Sequence, residues 1–171
     1  MKLAIEPVPA PLWNFNLREF MPESGWDKFH RSLFNFNDLS CAVCRKKVDQ
    51  PSSLHVDEVW SYDCRGRRGV ARLEKVRLCC WHCKKGKNLD RSEHGHRTKS
   101  RILPDAVDHF CRINSMSRQA MMLHMKRAFN VWEDRNKLEW KVDWGSYSNL
   151  LHVYYEELPS PCWFTPTAEL V

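Results

Sequence analysis

Hydrophobic residues recur with two different periods along the chain, and the change of period outlines the predicted fold. Trp26, Phe29 and Leu33 follow one another at helical spacing, which predicts a first helix. The segments Leu54 to Tyr62 and Ala71 to Leu78 instead alternate apolar and polar residues, as β-strands do. A polar turn with two glycines separates these segments, so the pattern predicts a β-hairpin.

Helical spacing returns in the last third of the chain. One helix is predicted to start at Pro104, a longer one to run from about Arg118 to Trp140, and a last one to cover Asn149 to Leu158. The longest helix carries a methionine-rich stripe, which we assign to the core, with a groove for a partner as the alternative. Residues 1–21 contain three prolines and predict an extended arm, and 91–103 predict a basic loop.

Two Cys-x-x-Cys pairs bracket the predicted hairpin. Their members are Cys41, Cys44, Cys80 and Cys83, with 35 residues between the pairs. This spacing lets both sulfurs of a pair face one ion, and it predicts a structural, tetrahedral Zn²⁺ site. Cys79 is an alternative to Cys80 as a ligand, but only Cys80 has the right spacing to Cys83.

Positive charge is concentrated around the cysteine pairs. Residues 45–101 contain 16 Lys and Arg against 7 Asp and Glu, whereas the rest of the chain is net negative. This distribution favours a polyanionic partner, and nucleic acid is the commonest one. The predicted phosphate contacts are Arg65, Arg67 and Arg68 in the hairpin turn and Lys84, Lys85 and Lys87 after the second cysteine pair.

Several function classes lack support in the sequence. There is no apolar run of membrane-spanning length and no secretory signal pattern. We therefore expect a cytoplasmic protein with reduced thiols and no membrane partner. There is also no glycine-rich phosphate loop, serine nucleophile elbow or dinucleotide fingerprint, which argues against a nucleotide cofactor.

The order of several short segments resembles the HNH endonuclease family, in particular a bacterial and phage group with a His-Glu-x-Trp core motif. The matching segments are Pro11–Arg18, Trp26–Lys28, Cys41–Cys44, Glu58–Asp63, Leu73 to Cys83, Phe129–Arg135 and Trp140–Asp143. They cover most of the chain. The resemblance implies a ββα-metal core, DNA as the substrate, and a divalent ion that assists phosphodiester hydrolysis.

Three histidines that the resemblance leads us to expect are replaced. Asp57 stands at the position of the general base, and Lys84 and Asn88 stand at the positions of two metal ligands. A working site would need His55 as the base, with Asp57 and Asn88 as oxygen ligands of Mg²⁺. The alternative is that these residues are ordinary polar groups of the hairpin.

We therefore predict a single α+β domain over residues 1–171. A zinc-bound, HNH-like ββα core at 41–90 is flanked by an N-terminal arm and helix at 1–40. A basic loop at 91–103 leads to C-terminal helices and a tail at 104–171. We expect the helices to cover the apolar face of the hairpin and to bury Trp60 and Trp132.

Three functions are compatible with these features. The first is a nuclease-like zinc protein that binds nucleic acid, with DNA preferred, and whose cutting chemistry is degenerate or altered. The second is an active Mg²⁺-dependent endonuclease with a rewired site. The third is a protein-interaction module or an inhibitor of a nucleic-acid enzyme, which uses the zinc fold as a scaffold.

Overall fold

The fold is mixed α+β in the computed structural model, which describes residues 1–34, 38–88 and 104–154. These ranges contain five α-helices and one three-stranded sheet. The helices are α1 (Glu23–Phe34), α2 (Trp81–Lys87), α3 (Pro104–Asn114), α4 (Arg118–Asn136) and α5 (Ser148–His152), and the strands are β1 (Leu54–Arg65), β2 (Arg68–Cys80) and β3 (Glu139–Asp143). The predicted loop at 91–103 and the tail lie outside the described residues.

The sheet has the order β1-β2-β3, so β2 is its central strand. β1 and β2 are joined by two residues, and Gly66 supplies the left-handed conformation of this turn with a φ of 59°. This confirms the predicted hairpin, with both strands longer than expected. β3 pairs parallel to β2, with Gly69 opposite Trp140.

The prediction of one helix from Arg118 to Trp140 was wrong in its last turn. Helix α4 ends at Asn136, and Trp140 lies in β3 with no exposed surface. The indole Nε1 of Trp140 donates a hydrogen bond to the carbonyl of Arg135 at 2.8 Å, satisfying a carbonyl at the end of the helix. A strand of five residues is too short for its alternation to be distinguished from the end of a helical pattern.

The described chain divides into two compact units, each drawn from three segments. Unit 1 comprises Met1–Pro7, Asn37–Asp57 and Leu78–Trp132, and unit 2 comprises Val8–Phe36, Glu58–Arg77 and Glu133–Val171. Each unit contains parts of the arm, the hairpin and the C-terminal region.

Aromatic rings fill the core of unit 2. Trp140 and Trp144 are buried, and Trp60 packs edge-on against Trp144 at a centroid distance of 5.5 Å. The prediction that Trp60 and Trp132 would be buried was wrong in degree, because both are only half-buried. The buried aliphatic residues around these rings include Val8, Leu12, Leu17, Met21, Leu73 and Leu151.

The N-terminal arm is fastened to unit 1 by backbone hydrogen bonds. Asn114 accepts from the backbone N–H groups of Lys2 and Leu3 and donates to the carbonyl of Leu3. The N–H of Glu6 donates to the carbonyl of Lys87 at 3.0 Å. The first residues of the arm are therefore extended as predicted, and they deliver Glu6 to the end of helix α2. The prediction of an extended arm over 1–21 was wrong beyond residue 9, because Ala10–Leu12 form a 3₁₀-helix and turns follow at 13–14 and 17–20.

We predict that Gly69→Ala destabilises the protein by about 1–3 kcal/mol, because a new methyl group would overpack the core. A Cβ at Gly69 would lie 2.6 Å from the Trp140 ring. Gly66→Asn is the matched control, since nothing lies within 4 Å of that position and asparagine tolerates a positive φ. Urea unfolding measures both variants, and equal stability of the two would contradict the predicted packing.

Candidate metal centre and the adjacent polar cluster

The first cysteine pair sits on a tight turn that is bound to the end of strand β2. The N–H of Ala42 donates to the carbonyl of Leu78 at 2.9 Å. Arg45 adopts a φ of 64°, which closes the turn, and the N–H of Cys44 points at Cys41 Sγ at 3.5 Å. The turn therefore presents both sulfurs next to the second pair.

The second pair lies where strand β2 passes into helix α2. Cys80 is the last residue of the strand, and Cys83 lies in the first turn of the helix. Both cysteines are buried. A strand-to-helix junction orients the two sulfurs toward one point because the helix turns its first residues back over the strand end.

The four sulfurs form one compact cluster. Cys41, Cys44, Cys80 and Cys83 have sulfur atoms that all lie within 4.8 Å of one another. The sulfurs of Cys44 and Cys80 are 3.7 Å apart. Four sulfurs at about 2.3 Å from one tetrahedral ion are separated by roughly 3.8 Å, so this donor set fits zinc.

This cluster decides between the two adjacent cysteines at the end of β2. Cys80 contributes its sulfur to the cluster, as the spacing predicted. Cys79 is also buried, but it is not a member of the cluster. The predicted ligand set is therefore the one that the fold brings together.

Hydrogen bonds among the sulfurs shift the pKa values of three of the thiols in opposite directions. S–H donation from Cys80 and Cys83 holds the pKa of Cys41 far below its ordinary value. The same bonds to Cys41 raise the pKa of Cys80 to about 11 and also raise the pKa of Cys83. A bound cation would remove this asymmetry, because it stabilises all four thiolates at once.

A histidine and an arginine from helix α3 adjoin the cluster, and neither was predicted to do so. His109 is buried, and its Nε2 lies 3.1 Å from Cys83 Sγ. Arg112 lies one helical turn later, with a guanidinium nitrogen 2.9 Å from His109 Nδ1. Burial lowers the pKa of His109, and the charge of Arg112 lowers it further. A lone histidine 26 residues after Cys83 carries no spacing signal.

A second polar cluster, the Lys87 triad, lies in unit 1 and consists of Lys87, Asp57 and Glu6. The ammonium of Lys87 is 2.7 Å from Asp57 Oδ1 and 2.6 Å from Glu6 Oε2, and the Lys87 residue is only 8% exposed. Burial alone would lower the pKa of Lys87, but the two carboxylates raise it above its ordinary value. The triad is therefore a buried cation held between two anions.

The three predicted catalytic residues have different surroundings. Asp57 is buried against Lys87, and the ring of His55 lies 5.7 Å from that of Trp81. Asn88 follows helix α2, where its backbone N–H donates to the carbonyl of Lys85. The catalytic roles of these residues stay predictions.

Glu58, the other acidic residue of the resembled motif, has a structural partner in unit 2. Its carboxylate accepts from the N–H of Leu17 at 2.8 Å and from the indole of Trp60 at 3.1 Å. It thereby fixes the arm at Leu17 and orients a core aromatic ring. The sequence pattern gave no sign of this role.

The six cations predicted to contact phosphate differ in how available they are. Arg65 is exposed beside Asp63, Arg68 pairs with Glu139, and Arg67 is exposed in the turn between them. On helix α2, Lys85 lies 4.4 Å over the Trp81 ring.

The other two lysines of helix α2 are used inside unit 1. Lys84 donates to the carbonyl of Val56 at 2.9 Å. Lys87 is buried and ion-paired, and this placement does not suit the phosphate contact predicted for it. Among the six, the three arginines of the turn are the most accessible.

Comparisons with known proteins add no assignment. No protein-family model, curated protein or solved structure matches the chain. No helix in the described part of the chain is long and apolar enough to cross a membrane.

We predict that Cys83→Ala abolishes metal binding and cooperative folding of unit 1, because metal affinity and folding free energy are coupled at such sites. Cys79→Ala is the matched control, a neighbouring buried cysteine outside the sulfur cluster. Metal content by mass spectrometry and thermal unfolding measure both. Retention of one metal ion and an unchanged melting temperature in Cys83→Ala would refute this ligand set.

We predict that Lys87→Met costs about 3–5 kcal/mol of stability, because it removes the ammonium that pairs with the buried carboxylate of Asp57 and the half-buried carboxylate of Glu6. Adding Asp57→Asn to Lys87→Met should recover part of the loss, since it removes one buried charge. Lys85→Met is the surface control. Denaturant unfolding of these variants beside the unchanged protein tests the triad, and a neutral Lys87→Met would contradict it.

Proposed function

We propose that this chain is a zinc-stabilised, HNH-like protein that binds nucleic acid and has lost the cutting chemistry of the nucleases it resembles. The order β1, β2, α2 with a four-cysteine cluster at its base supports the ββα-metal core that the resemblance implies. Zn²⁺ is the proposed ion, because four thiolates in a tetrahedral arrangement are its preferred structural ligands.

The Lys87 triad is the observation that carries the loss of cutting. In the resembled family the residue before Glu58 is the general base. In this chain that residue is Asp57, and its carboxylate is bound to a lysine ammonium within the protein. An aspartate engaged in this way is a poor ligand for Mg²⁺, because the ion would have to displace a buried, covalently attached cation.

Lys84 strengthens this interpretation. It stands where the resemblance expects a metal-binding histidine, and its ammonium donates to the carbonyl of Val56. An ammonium group next to the expected ion position repels a divalent cation rather than binding it. On helix α2, Lys84 and Lys87 therefore make structural contacts, and Lys84 makes its contact at a position where a nuclease of this kind would bind its catalytic metal.

Accessible positive charge supports nucleic acid as the partner. The hairpin turn presents Arg65, Arg67 and Arg68. In unit 1, the first cysteine turn is followed by Arg45, Lys46 and Lys47, all of them exposed. Flexible cations on exposed turns suit contacts with a phosphate backbone, which favour binding without base specificity.

The first test is cleavage and binding on the same protein preparation. Supercoiled and single-stranded DNA are incubated with protein in Mg²⁺, Mn²⁺ or EDTA, beside an Asp57→Ala variant. We expect no metal-dependent nicking, together with a gel shift that weakens steeply as salt rises. Metal-dependent nicking that disappears in an Asp57→Ala variant shown to be folded would instead establish a rewired endonuclease with Asp57 at its centre.

We predict that changing Arg65, Arg67 and Arg68 together to Gln weakens DNA binding and lowers the salt slope by about 0.9 for each phosphate that these arginines neutralise. Lys137→Gln is the control, an exposed cation outside the basic segment. Fluorescence anisotropy at several salt concentrations measures the slope for duplex DNA, single-stranded DNA and RNA. An unchanged slope in the triple variant would remove the turn from the interface.

One observation favours protein interaction as the second candidate function. Helix α4 buries Met121 and Met125 as predicted, but Met122 and Leu123 are 53% and 51% exposed. They line an open groove of about 800 Å³ with Phe129. Exposed methionines suit adaptable protein contacts. Absence of both cutting and salt-sensitive binding would make this candidate the leading one.

A further inference from the structure

The contacts between helix α3 and the second cysteine pair connect three side chains in a row. Arg112 contacts His109 Nδ1 at 2.9 Å, and His109 Nε2 contacts Cys83 Sγ at 3.1 Å. Cys83 is one of the four clustered sulfurs. His109 is buried, whereas Arg112 lies at the surface. The row therefore runs from solvent to the candidate metal centre.

The contact with Arg112 determines which nitrogen of the His109 imidazole carries the proton. A guanidinium carries N–H donors and no acceptor, so the nitrogen of His109 that faces Arg112 must be the acceptor. Nδ1 is then unprotonated, and the proton of the neutral imidazole is on Nε2. The Nε2–H group therefore points at Cys83 Sγ and donates to it.

His109 is outside the group of metal ligands. The four sulfurs lie within 4.8 Å of one another, and the imidazole nitrogens are not members of that group. A histidine that donates to a ligand sulfur acts on the metal indirectly, through the charge and orientation of the thiolate. Arg112 acts on the thiolate only through His109, by fixing which nitrogen of the imidazole carries the proton.

We propose that Arg112 and His109 form a positioning pair that holds the Cys83 thiolate and slows release of the bound metal, an inference that rests on the proposed zinc site. Four thiolates and one Zn²⁺ together carry a net negative charge, and a buried donor to one sulfur disperses part of that charge. The donor also occupies a sulfur lone pair that a competing proton or electrophile would attack. Cys83 is thereby protected against displacement from the metal.

The central experiment compares His109→Phe with His109→Gln in zinc-loaded protein. Phenylalanine keeps the ring but has no donor, whereas glutamine can place an amide N–H near the position of Nε2. We expect zinc transfer to a chromogenic chelator to be about 10–100-fold faster in His109→Phe, the usual size of an outer-shell effect. His109→Gln should stay within a few-fold of the unchanged protein.

Replacing zinc by cobalt allows the sulfur-to-cobalt charge-transfer band to be measured. A purely structural role of His109 would leave the wavelength of this band unchanged. Loss of the N–H···S bond raises the energy of the thiolate electrons, so the sulfur-to-cobalt charge-transfer band of His109→Phe should shift to longer wavelength. His82→Phe is the control, since the His82 ring lies 5.4 Å from that of His109 and is not a member of the row that reaches Cys83. Arg112→Met should give a smaller shift in the same direction.

The outcomes separate this inference from the metal site. Equal release rates and equal band positions in folded His109→Phe and unchanged protein would overturn the role of His109 while leaving the zinc site intact. Failure of the unchanged protein to bind zinc or cobalt would overturn the site and this inference together. If His109→Phe does not fold, the zinc-release rates of His109→Gln and Arg112→Met are compared instead. Faster release in Arg112→Met alone supports the positioning pair. Equal release rates in the two variants overturn it.

Discussion

Convergence of four sulfurs on one point is the constraint on which unit 1 depends. It requires the turn after residue 40, the end of strand β2 and the start of helix α2 to meet within a few ångströms. Each contact near this point serves that requirement: the Ala42 N–H bonds the end of β2, and Arg45 accepts a left-handed conformation. Four thiolates held this close repel one another, so a cation among them would stabilise the ionised cluster.

Unit 1 contains a second cluster of charged groups, the Lys87 triad, in which a lysine of the chain balances the two carboxylates. Lys87 joins two carboxylates that come from distant parts of the sequence, Glu6 in the arm and Asp57 in strand β1. Each of the three would be costly to bury alone. Their mutual contact ties the arm, the strand and helix α2 together, and so it serves both folding and the proposed loss of catalysis.

Features with a strong local period or spacing could be predicted from the sequence, whereas those that depend on tertiary contacts could not. The cluster of four cysteines and the hairpin belong to the first group, because paired cysteines and alternation are short-range signals. Strand β3 was missed, since five residues after a long helix do not establish a new period. Lys87 was grouped with its neighbours as a surface cation, although its partners Asp57 and Glu6 lie in distant segments. No motif marked His109, which contacts Cys83 Sγ only because the fold places helix α3 beside helix α2.

The Lys87 triad also has a consequence for how unit 1 responds to its chemical environment. A dissociable ion is present only while its free concentration is high enough, and a chelator can remove it. The ammonium of Lys87 is a cation that is attached to the chain, so no chelator, metal shortage or competing ion can extract it from Asp57 and Glu6. Starvation for metal would therefore act on the ion proposed for the sulfur cluster and would leave Asp57 and Glu6 with the Lys87 counterion.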